Sequence, residues 1–173
     1  MVKLFIPPGG PRLLVVPVVA VALGVAACGG GGGGTKGSGE QGGRPAFKAR
    51  FSAIDADVKK VGAGIGSNLQ RAQRGQIGDA KLADELDALK TRLSGDLTML
   101  GSVAVPGELK AERDGYEKAL RPVADDLGAT VGALRAHDAA KGRIAGRNLV
   151  LDSSRVKPAA NALRSKLGLP ITP

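Results

Sequence analysis

The sequence is poor in the side chains on which metal, redox and disulfide sites depend. Its 173 residues include one cysteine, one histidine, one tyrosine, three phenylalanines and no tryptophan. A single cysteine excludes an intramolecular disulfide. A single histidine excludes transition-metal sites that need several imidazoles, and no Glu-x-x-His pair of the kind that holds a diiron centre is present. We therefore expect neither a metal nor another cofactor.

The scarcity of aromatic residues also bears on the fold. After residue 45 only Phe47, Phe51 and Tyr116 are aromatic, and the apolar residues are chiefly Ala, Leu and Val. Strands favour β-branched and aromatic residues at a period of two, and no such run occurs in this part of the chain. The segment 46–173 has about 128 residues, a normal size for one domain. It is predicted to be a single all-α domain.

The amino-terminal residues have a pattern of charge and hydropathy that predicts an export signal. Lys3 and Arg12 are followed by an uncharged apolar run from Leu13 to Ala27. As a helix this run would be about 22 Å long, which is shorter than the roughly 30 Å hydrocarbon core of a bilayer. The pattern is typical of the apolar region of a signal peptide and not of a membrane span.

The apolar run ends in Val25, Ala26, Ala27 and Cys28, an aliphatic residue and two small residues before the cysteine. This segment resembles the lipobox of bacterial lipoproteins. The resemblance covers 28 residues and implies that residues 1–27 are removed and that the sulfur of Cys28 receives a diacylglyceryl group. It implies a protein anchored by lipid to the extracytoplasmic side of the cell membrane. An ordinary secretory peptide with an incidental cysteine is the alternative.

Residues 28–45 are predicted to form a tether. Six consecutive glycines, Gly29–Gly34, open a stretch in which no core can form, because glycine offers nothing to bury and loses the most entropy on ordering. A phosphate-binding loop would need a strand before the glycines and a helix after them. As a flexible coil, 17 such residues span roughly 20–25 Å.

From Phe47 onward, apolar residues recur at steps of three and four, which indicates helices with one buried face. Turn signals at Arg74–Gly75, Gly78–Asp79 and Pro106–Gly107 separate the first three stripes. The four stripes are Phe47, Phe51, Ile54, Val58, Val61, Ile65, Leu69 and Ala72; Leu82, Leu86, Leu89, Leu93, Leu97 and Leu100; Leu109, Tyr116, Leu120, Val123, Leu127, Val131 and Leu134; and Ala145, Leu149, Val156, Ala160, Leu163 and Leu167.

These stripes predict an antiparallel up-down bundle of four helices, with three long helices as the alternative. Asp79 and Asp138 are expected to cap helices. Pro122 should kink the third helix or mark its start, and Gly142, Gly146 and Pro158 favour a break or bend in the fourth. Ile144 and Leu151 lie off the fourth stripe and are expected to be exposed. In its Ala- and Leu-rich helices and its Asp-capped turn, the domain resembles uncharacterised small helical lipoproteins of high-GC bacteria. This resemblance implies no catalytic or binding residues.

Carboxylates are the only plentiful groups with catalytic potential. The candidates for paired-acid hydrolysis are Asp55 with Asp57, Asp84 with Glu85, and Asp125 with Asp126. Each is expected on the polar side of its helix, beside Lys or Arg and with an ordinary pKa. His137 is expected to be a solvated or capping residue at a helix junction, and no Gly-x-Ser-x-Gly turn is present. We therefore expect no enzymatic activity.

The net charge of +9 is concentrated near the carboxy terminus. Residues 46–134 carry 13 basic and 13 acidic side chains, whereas residues 135–173 carry eight basic and two acidic ones. These basic residues are expected to fan over the outer face, where Arg143, Arg147, Arg155 and Lys157 are the candidates for contact with anionic lipid, a wall polymer or an acidic envelope protein. A merely solvated face is the alternative. Nucleic acid is not expected as a partner, since stacking aromatics are lacking.

The sequence therefore favours a non-enzymatic, lipid-anchored binding or scaffold protein of the bacterial envelope. One alternative is a ligand-binding lipoprotein that holds a small apolar molecule or lipid between its helices. The other is an enzyme with a carboxylate-based site. A buried polar residue or a cavity would favour the ligand binder. Two carboxylates that converge in a cleft would favour the enzyme, and a solid aliphatic core would favour the scaffold.

Overall fold

Four long helices make up most of the computed structural model, which describes residues 43–172. They are α1 (Gly43–Gln73), α2 (Asp79–Ser102), α3 (Lys110–Arg135) and α4 (Ala139–Lys166), with a 3₁₀ turn at Gly107–Leu109 before α3. No strand occurs between residues 43 and 172. The prediction of an all-α bundle is confirmed, with four helices and not three. The lipobox residues Val25, Ala26, Ala27 and Cys28 lie outside the described residues.

The core is formed by the four predicted stripes. Successive helices pack against each other: α1 on α2, α2 on α3, and α3 on α4. All the stripe residues are buried or pack against buried ones. Ala145 alone among them is buried without belonging to the central hydrophobic cluster. Leu109 belongs to the 3₁₀ turn instead of α3. The Phe51 and Tyr116 rings meet edge to face at 5.6 Å and so join α1 directly to α3.

Helix α1 begins at Gly43, three residues before the expected boundary of the domain. Proline is favoured in the first turn of a helix because its missing N–H would have no partner there, which suits Pro45. The Arg44 guanidinium also donates a hydrogen bond of 2.5 Å to the carbonyl of Lys166 at the end of α4. This hydrogen bond to the end of α4 accounts for the helical conformation of residues 43–45, which the glycine-rich composition predicted to be part of the tether.

The helix ends are set by a few local signals. Gly75 and Gly168, which follow α1 and α4, have φ of +69° and +61°, a region that glycine enters without steric cost. Asp138 caps α4, since its carboxylate accepts a hydrogen bond of 3.0 Å from the backbone N–H of Lys141. The cap of α2 is Gly78, so the expected role of Asp79 is wrong by one residue.

Helices α3 and α4 run through the residues that were expected to interrupt them. Pro122 lies inside α3 and does not mark its start, and Gly142, Gly146 and Pro158 lie inside a continuous α4. A helix-interior proline or glycine costs about 1–3 kcal/mol, which the burial of several stripe residues on either side can offset. Tertiary packing therefore overrides local propensity in both helices.

The seam between α1 and α4 is closed by long polar side chains and by the end of the chain. Arg44 reaches across it to Lys166, and Lys48 donates a hydrogen bond of 3.5 Å to the carbonyl of Gly168. Beyond α4, Leu167 and Thr172 are buried. The carboxy-terminal residues thus fold back onto the bundle.

Candidate functional site

The outward side of α4 combines exposed aliphatic and basic residues. Ile144, Leu151 and Val150 are 64%, 52% and 39% exposed, so the predicted exposure of Ile144 and Leu151 is confirmed. At 100° per residue they share an arc of roughly 140° with three arginines. We call this surface the α4 outer face and define it as Arg143, Ile144, Arg147, Val150, Leu151 and Arg155.

The charge of α4 is strongly one-sided. The helix has seven basic residues and one acidic residue, Asp152, which pairs with Arg155 at 2.7 Å. Within residues 43–172, Arg143, Arg147 and Lys157 have no ion pair. Arg143 and Arg147 are exposed, whereas Lys157 is half-buried. Of the four predicted contact residues, the three arginines lie on the α4 outer face and Lys157 lies at its edge.

Arg164 departs from the expected arrangement of basic residues on the outer face. Arg164 is 4% exposed. Its guanidinium donates hydrogen bonds to both carboxylate oxygens of Asp55 on α1, with Nε 3.2 Å from Oδ2. The same guanidinium donates to the side-chain oxygen of Asn161 at 2.7 Å and to the hydroxyl of Thr172. The expectation that Arg164 lies outside and that Asp55 lies on a polar face is wrong.

The Asp55–Arg164 pair shows why helical periodicity misplaced both residues. A charged pair can be buried when its geometry satisfies most of its hydrogen-bonding groups, as this one does across α1, α4 and the chain end. A wheel drawn for one helix cannot show that two off-stripe residues face each other. The core is therefore not solely aliphatic.

The ring of Tyr116 lies between the helices with its hydroxyl in the core. This hydroxyl is buried and has no hydrogen-bond partner among the described residues. Burial, together with the nearby Asp55 carboxylate, raises the pKa of Tyr116 above its ordinary value. The phenol is therefore neutral at every physiological pH.

Asp57 and Asp96 bring two carboxyl groups together between α1 and α2. Arg92 donates two hydrogen bonds to Asp57 and lowers the pKa of that carboxyl. Asp96 is 2% exposed and its Oδ2 has no partner within residues 43–172. Burial and the Asp57 carboxylate raise the pKa of Asp96 to about 6.

Asp96 was not among the carboxylates singled out in the sequence. It lies three residues after Leu93 and four before Leu100, both of which are fully buried stripe residues. Residues three and four apart share a helix face, so this spacing was a signal that could have identified Asp96 as buried.

A second pair of neighbouring carboxyls, Asp126 of α3 and Asp152 of α4, lies between these two helices. The Asp126 side chain has a buried oxygen without a partner in the described part of the chain. Burial, and next the Asp152 carboxylate, raises the pKa of Asp126. The expectation of ordinary pKa values is therefore wrong for both Asp57 and Asp126.

Of the remaining candidates, Asp125 is exposed, whereas Asp84 and Glu85 form ion pairs between helices. Asp84 is 3.5 Å from Arg135, and Glu85 is 2.8 Å from Arg71. His137 is exposed at the α3–α4 junction with φ of +51°, a conformation that is uncommon outside glycine. The junction that the sequence indicated for His137 is thus confirmed.

Residues 43–172 contain no group of three or more His, Cys, Asp or Glu side chains that could hold a metal ion. None of the helices described is both long enough and apolar enough to cross a membrane.

Comparison of the chain with protein-family models, with curated proteins and with solved structures found no match in any of the three.

Proposed function

We propose that the protein is a non-enzymatic, lipid-anchored binding protein of the bacterial envelope, which lays the α4 outer face on anionic lipid of the membrane that holds it. The observation that carries the proposal is the alternation of Ile144, Val150 and Leu151 with unpaired Arg143 and Arg147 on one exposed helix face. Isolated apolar residues on a surface need no explanation, but three on one basic face are typical of helices that lie in a membrane interface.

Both components of this face match an anionic membrane surface. Each basic residue near such a surface contributes about 1 kcal/mol. The three aliphatic side chains, each roughly half exposed, would add on the order of 1 kcal/mol each on entering the interface. Arginine also keeps its charge in water while its stem lies along apolar surface.

The lipid on Cys28 and the α4 outer face would have different roles. Two or three acyl chains contribute about 0.8 kcal/mol per buried CH₂, on the order of 25–35 kcal/mol together, which far exceeds the contribution of the face. The tether of roughly 20–25 Å would keep the bundle within reach of the surface. The lipid would therefore hold the protein, and the face would orient it.

The α4 outer face can be tested without the anchor, on residues 43–173. We expect this segment to bind vesicles containing phosphatidylglycerol in low salt and not vesicles of phosphatidylcholine alone, with binding weakened at physiological ionic strength, where the Debye length is about 8 Å. Changing Arg143, Arg147, Arg155 and Lys157 to Gln should remove most of the binding, and Ile144→Ser with Leu151→Ser should weaken it at constant charge. Co-sedimentation measures both effects.

The matched control changes four exposed basic residues of the charge-balanced segment 46–134 to Gln: Lys60, Arg74, Lys110 and Lys118. Equal losses from the two sets would mean that only net charge counts and would contradict a defined face. Binding to isolated wall polymer or to an acidic protein without binding to anionic vesicles would replace lipid as the occupant.

The anchor has a separate test in cells. Because diacylglyceryl transfer needs the sulfur, Cys28→Ala should abolish incorporation of radioactive fatty acid and leave the protein uncleaved or released into the medium. Normal labelling of this variant would rule out the anchor but would leave the vesicle experiment on residues 43–173 unaffected.

A further inference from the structure

A groove runs along the bundle between the first half of α1 and the second half of α2. Its walls are mainly apolar, with Phe47 and Ile54 from α1 and Met99 and Val103 from the α2 side. On α1 it extends from Gly43 to Asp57, which corresponds to about 20 Å of helix. Met99 is 46% exposed there, whereas large aliphatic residues elsewhere on α2 are buried or half-buried.

One end of this groove is acidic. Asp57 and Asp96 both line it, and of these two carboxyls Arg92 donates its hydrogen bonds to Asp57. With Asp96 ionised, these three groups carry one net negative charge. The Oδ2 atom of Asp96 is buried without a partner among residues 43–172, a state that is unfavourable for a carboxylate unless a donor is supplied.

The geometry points to a binding site for a small amphiphilic amine, whose ammonium donates to the carboxylate of Asp96 while its apolar body lies against Ile54 and Met99. An ammonium has three donors and no acceptor, and a charge-assisted bond to a carboxylate is roughly twice as strong as a neutral hydrogen bond. This ligand site is separate from the α4 outer face, and neither requires the other.

Arg50 fixes the direction in which such a ligand lies. It is exposed on the α1 wall of the groove, seven residues or about 10 Å before Asp57 on the same helix face. Its positive charge disfavours an ammonium in the middle of the groove and leaves the acidic end as the only anionic position along this wall. The apolar body of the ligand then points from Asp96 toward Met99, one helical turn along α2.

The site should be sensitive to pH, because burial raises the pKa of Asp96 to about 6. The groups that face this carboxyl are Asp57 and, through it, Lys60 from α1, Arg92 from α2 and Tyr116 from α3. The pKa of Arg92 and that of Tyr116 are both raised, so Arg92 stays charged and Tyr116 stays neutral across the range from pH 5 to 7.5. Asp96 is ionised almost completely at pH 7.5 and to about one tenth at pH 5, so amine binding should weaken several-fold on acidification.

Methionine-methyl NMR can report on the groove in the full-length chain. The sequence has two methionines, Met1 and Met99, and a Met99→Leu variant assigns the resonance of Met99. With the protein in phosphatidylcholine nanodiscs, we expect n-hexylammonium to shift the Met99 methyl resonance saturably at pH 7.5. Hexan-1-ol and hexanoate at the same concentrations should shift it little. Protein-free nanodiscs give the correction for partition of each probe into lipid.

Asp96→Asn is the decisive variant, because it keeps the shape of the side chain and removes its charge. We expect it to weaken hexylammonium binding at least tenfold and to abolish the pH dependence. Asp84→Asn, an exposed change on the same helix, should leave both unchanged. An unaltered circular dichroism spectrum shows that the Asn variant is folded.

Other outcomes overturn the proposal. Equal binding by Asp96→Asn, or equal shifts from hexanol and hexylammonium, would show that the groove selects only apolar molecules. A Met99 resonance that no probe shifts would show that the groove is closed to small amines.

Discussion

At the scale of single residues, the molecule is defined by charged groups buried among aliphatic ones. Asp55 with Arg164 is a satisfied pair, since both carboxylate oxygens accept hydrogen bonds and the guanidinium reaches Thr172 and Asn161 as well. Asp96 differs, because its nearest charged neighbour on α1 is another carboxylate and one of its own oxygens has no partner among the described residues. The first pair links α1 to α4 across their seam, whereas Asp96 is a local cost that a ligand can relieve.

The cost of Asp96 predicts an unusual dependence of stability on pH. Its folded pKa of about 6 lies above the roughly 3.9 of an unfolded chain, so the folded state binds more protons between these values. Stability from this group is therefore highest below pH 4, falls as the pH rises to about 6, and stays at the lower value above that. Asp96→Asn should remove the fall and raise the free energy of unfolding at pH 7.5 by roughly 1–3 kcal/mol.

Urea unfolding of the wild type and of Asp96→Asn at pH 4, 5, 6 and 7.5 measures this difference directly. Subtracting the two curves cancels the contribution of Asp126, whose pKa is also raised but which does not interact with Asp96. Asp84→Asn serves as the exposed control. If the difference between wild type and Asp96→Asn were constant over this range, Asp96 would not be titrating as described.

At the scale of the helices, glycine allows α1 to pack closely on α2 at Gly64. Gly62, Gly64 and Gly66 all lie off the apolar stripe, but a Cβ on Gly64 would meet the side chain of Leu89 on α2 at 3.0 and 3.1 Å. A Cβ on Gly66 would meet nothing within 4 Å. The close approach of α1 to α2 thus depends on Gly64 and not on Gly66.

This difference predicts opposite mutational effects two residues apart. Gly66→Ala should stabilise the protein by about 0.5–1 kcal/mol, because alanine is the better helix former and the space is open. Gly64→Ala gains the same propensity but pushes against Leu89, so we expect it to be neutral or destabilising. Thermal unfolding of the two variants measures both values. In a protein that already carries Leu89→Ala, adding Gly64→Ala should give the full propensity gain, because the side chain it pushes against is gone. Equal stabilisation by both single variants would argue against close packing at Gly64.

At the scale of the whole molecule, the bundle buries a continuous aliphatic cluster with three aromatic rings at one place in it. Such a core should not depend on the residues that precede it. Residues 43–173 are expected to be soluble and strongly helical without any metal or disulfide. Leu93 is 1% exposed at the centre of α2, so Leu93→Asp should cost several kcal/mol by burying an unpaired carboxylate.

Circular dichroism and thermal unfolding of residues 43–173 check both statements. Leu151→Asp provides a matched control, since Leu151 is exposed and the same substitution there buries no charge. We expect the control to melt close to the wild type. A spectrum dominated by strand, or equal melting of Leu93→Asp and the wild type, would contradict the bundle.

The sequence by itself determined the class of fold, the four helices and the side of each that is buried. Spacing of apolar residues is a local property, and a helix repeats every 3.6 residues whatever surrounds it. For the same reason the exposure of Ile144 and Leu151, the cap at Asp138 and the junction at His137 followed from the chain alone. The signal peptide and the lipid on Cys28 also remain predictions from the sequence only.

Tertiary structure decided the features that depend on two helices at once. Pro122, Pro158 and two glycines of α4 do not end their helices, because packing on either side outweighs their local cost. Arg164 was expected outside and is buried, because Asp55 faces it from α1, 109 residues away in sequence. Asp96 became a candidate ligand group only when Asp57 and the groove walls were placed beside it. A pKa depends on burial and on neighbouring charges in space, and neither can be read from one helix at a time.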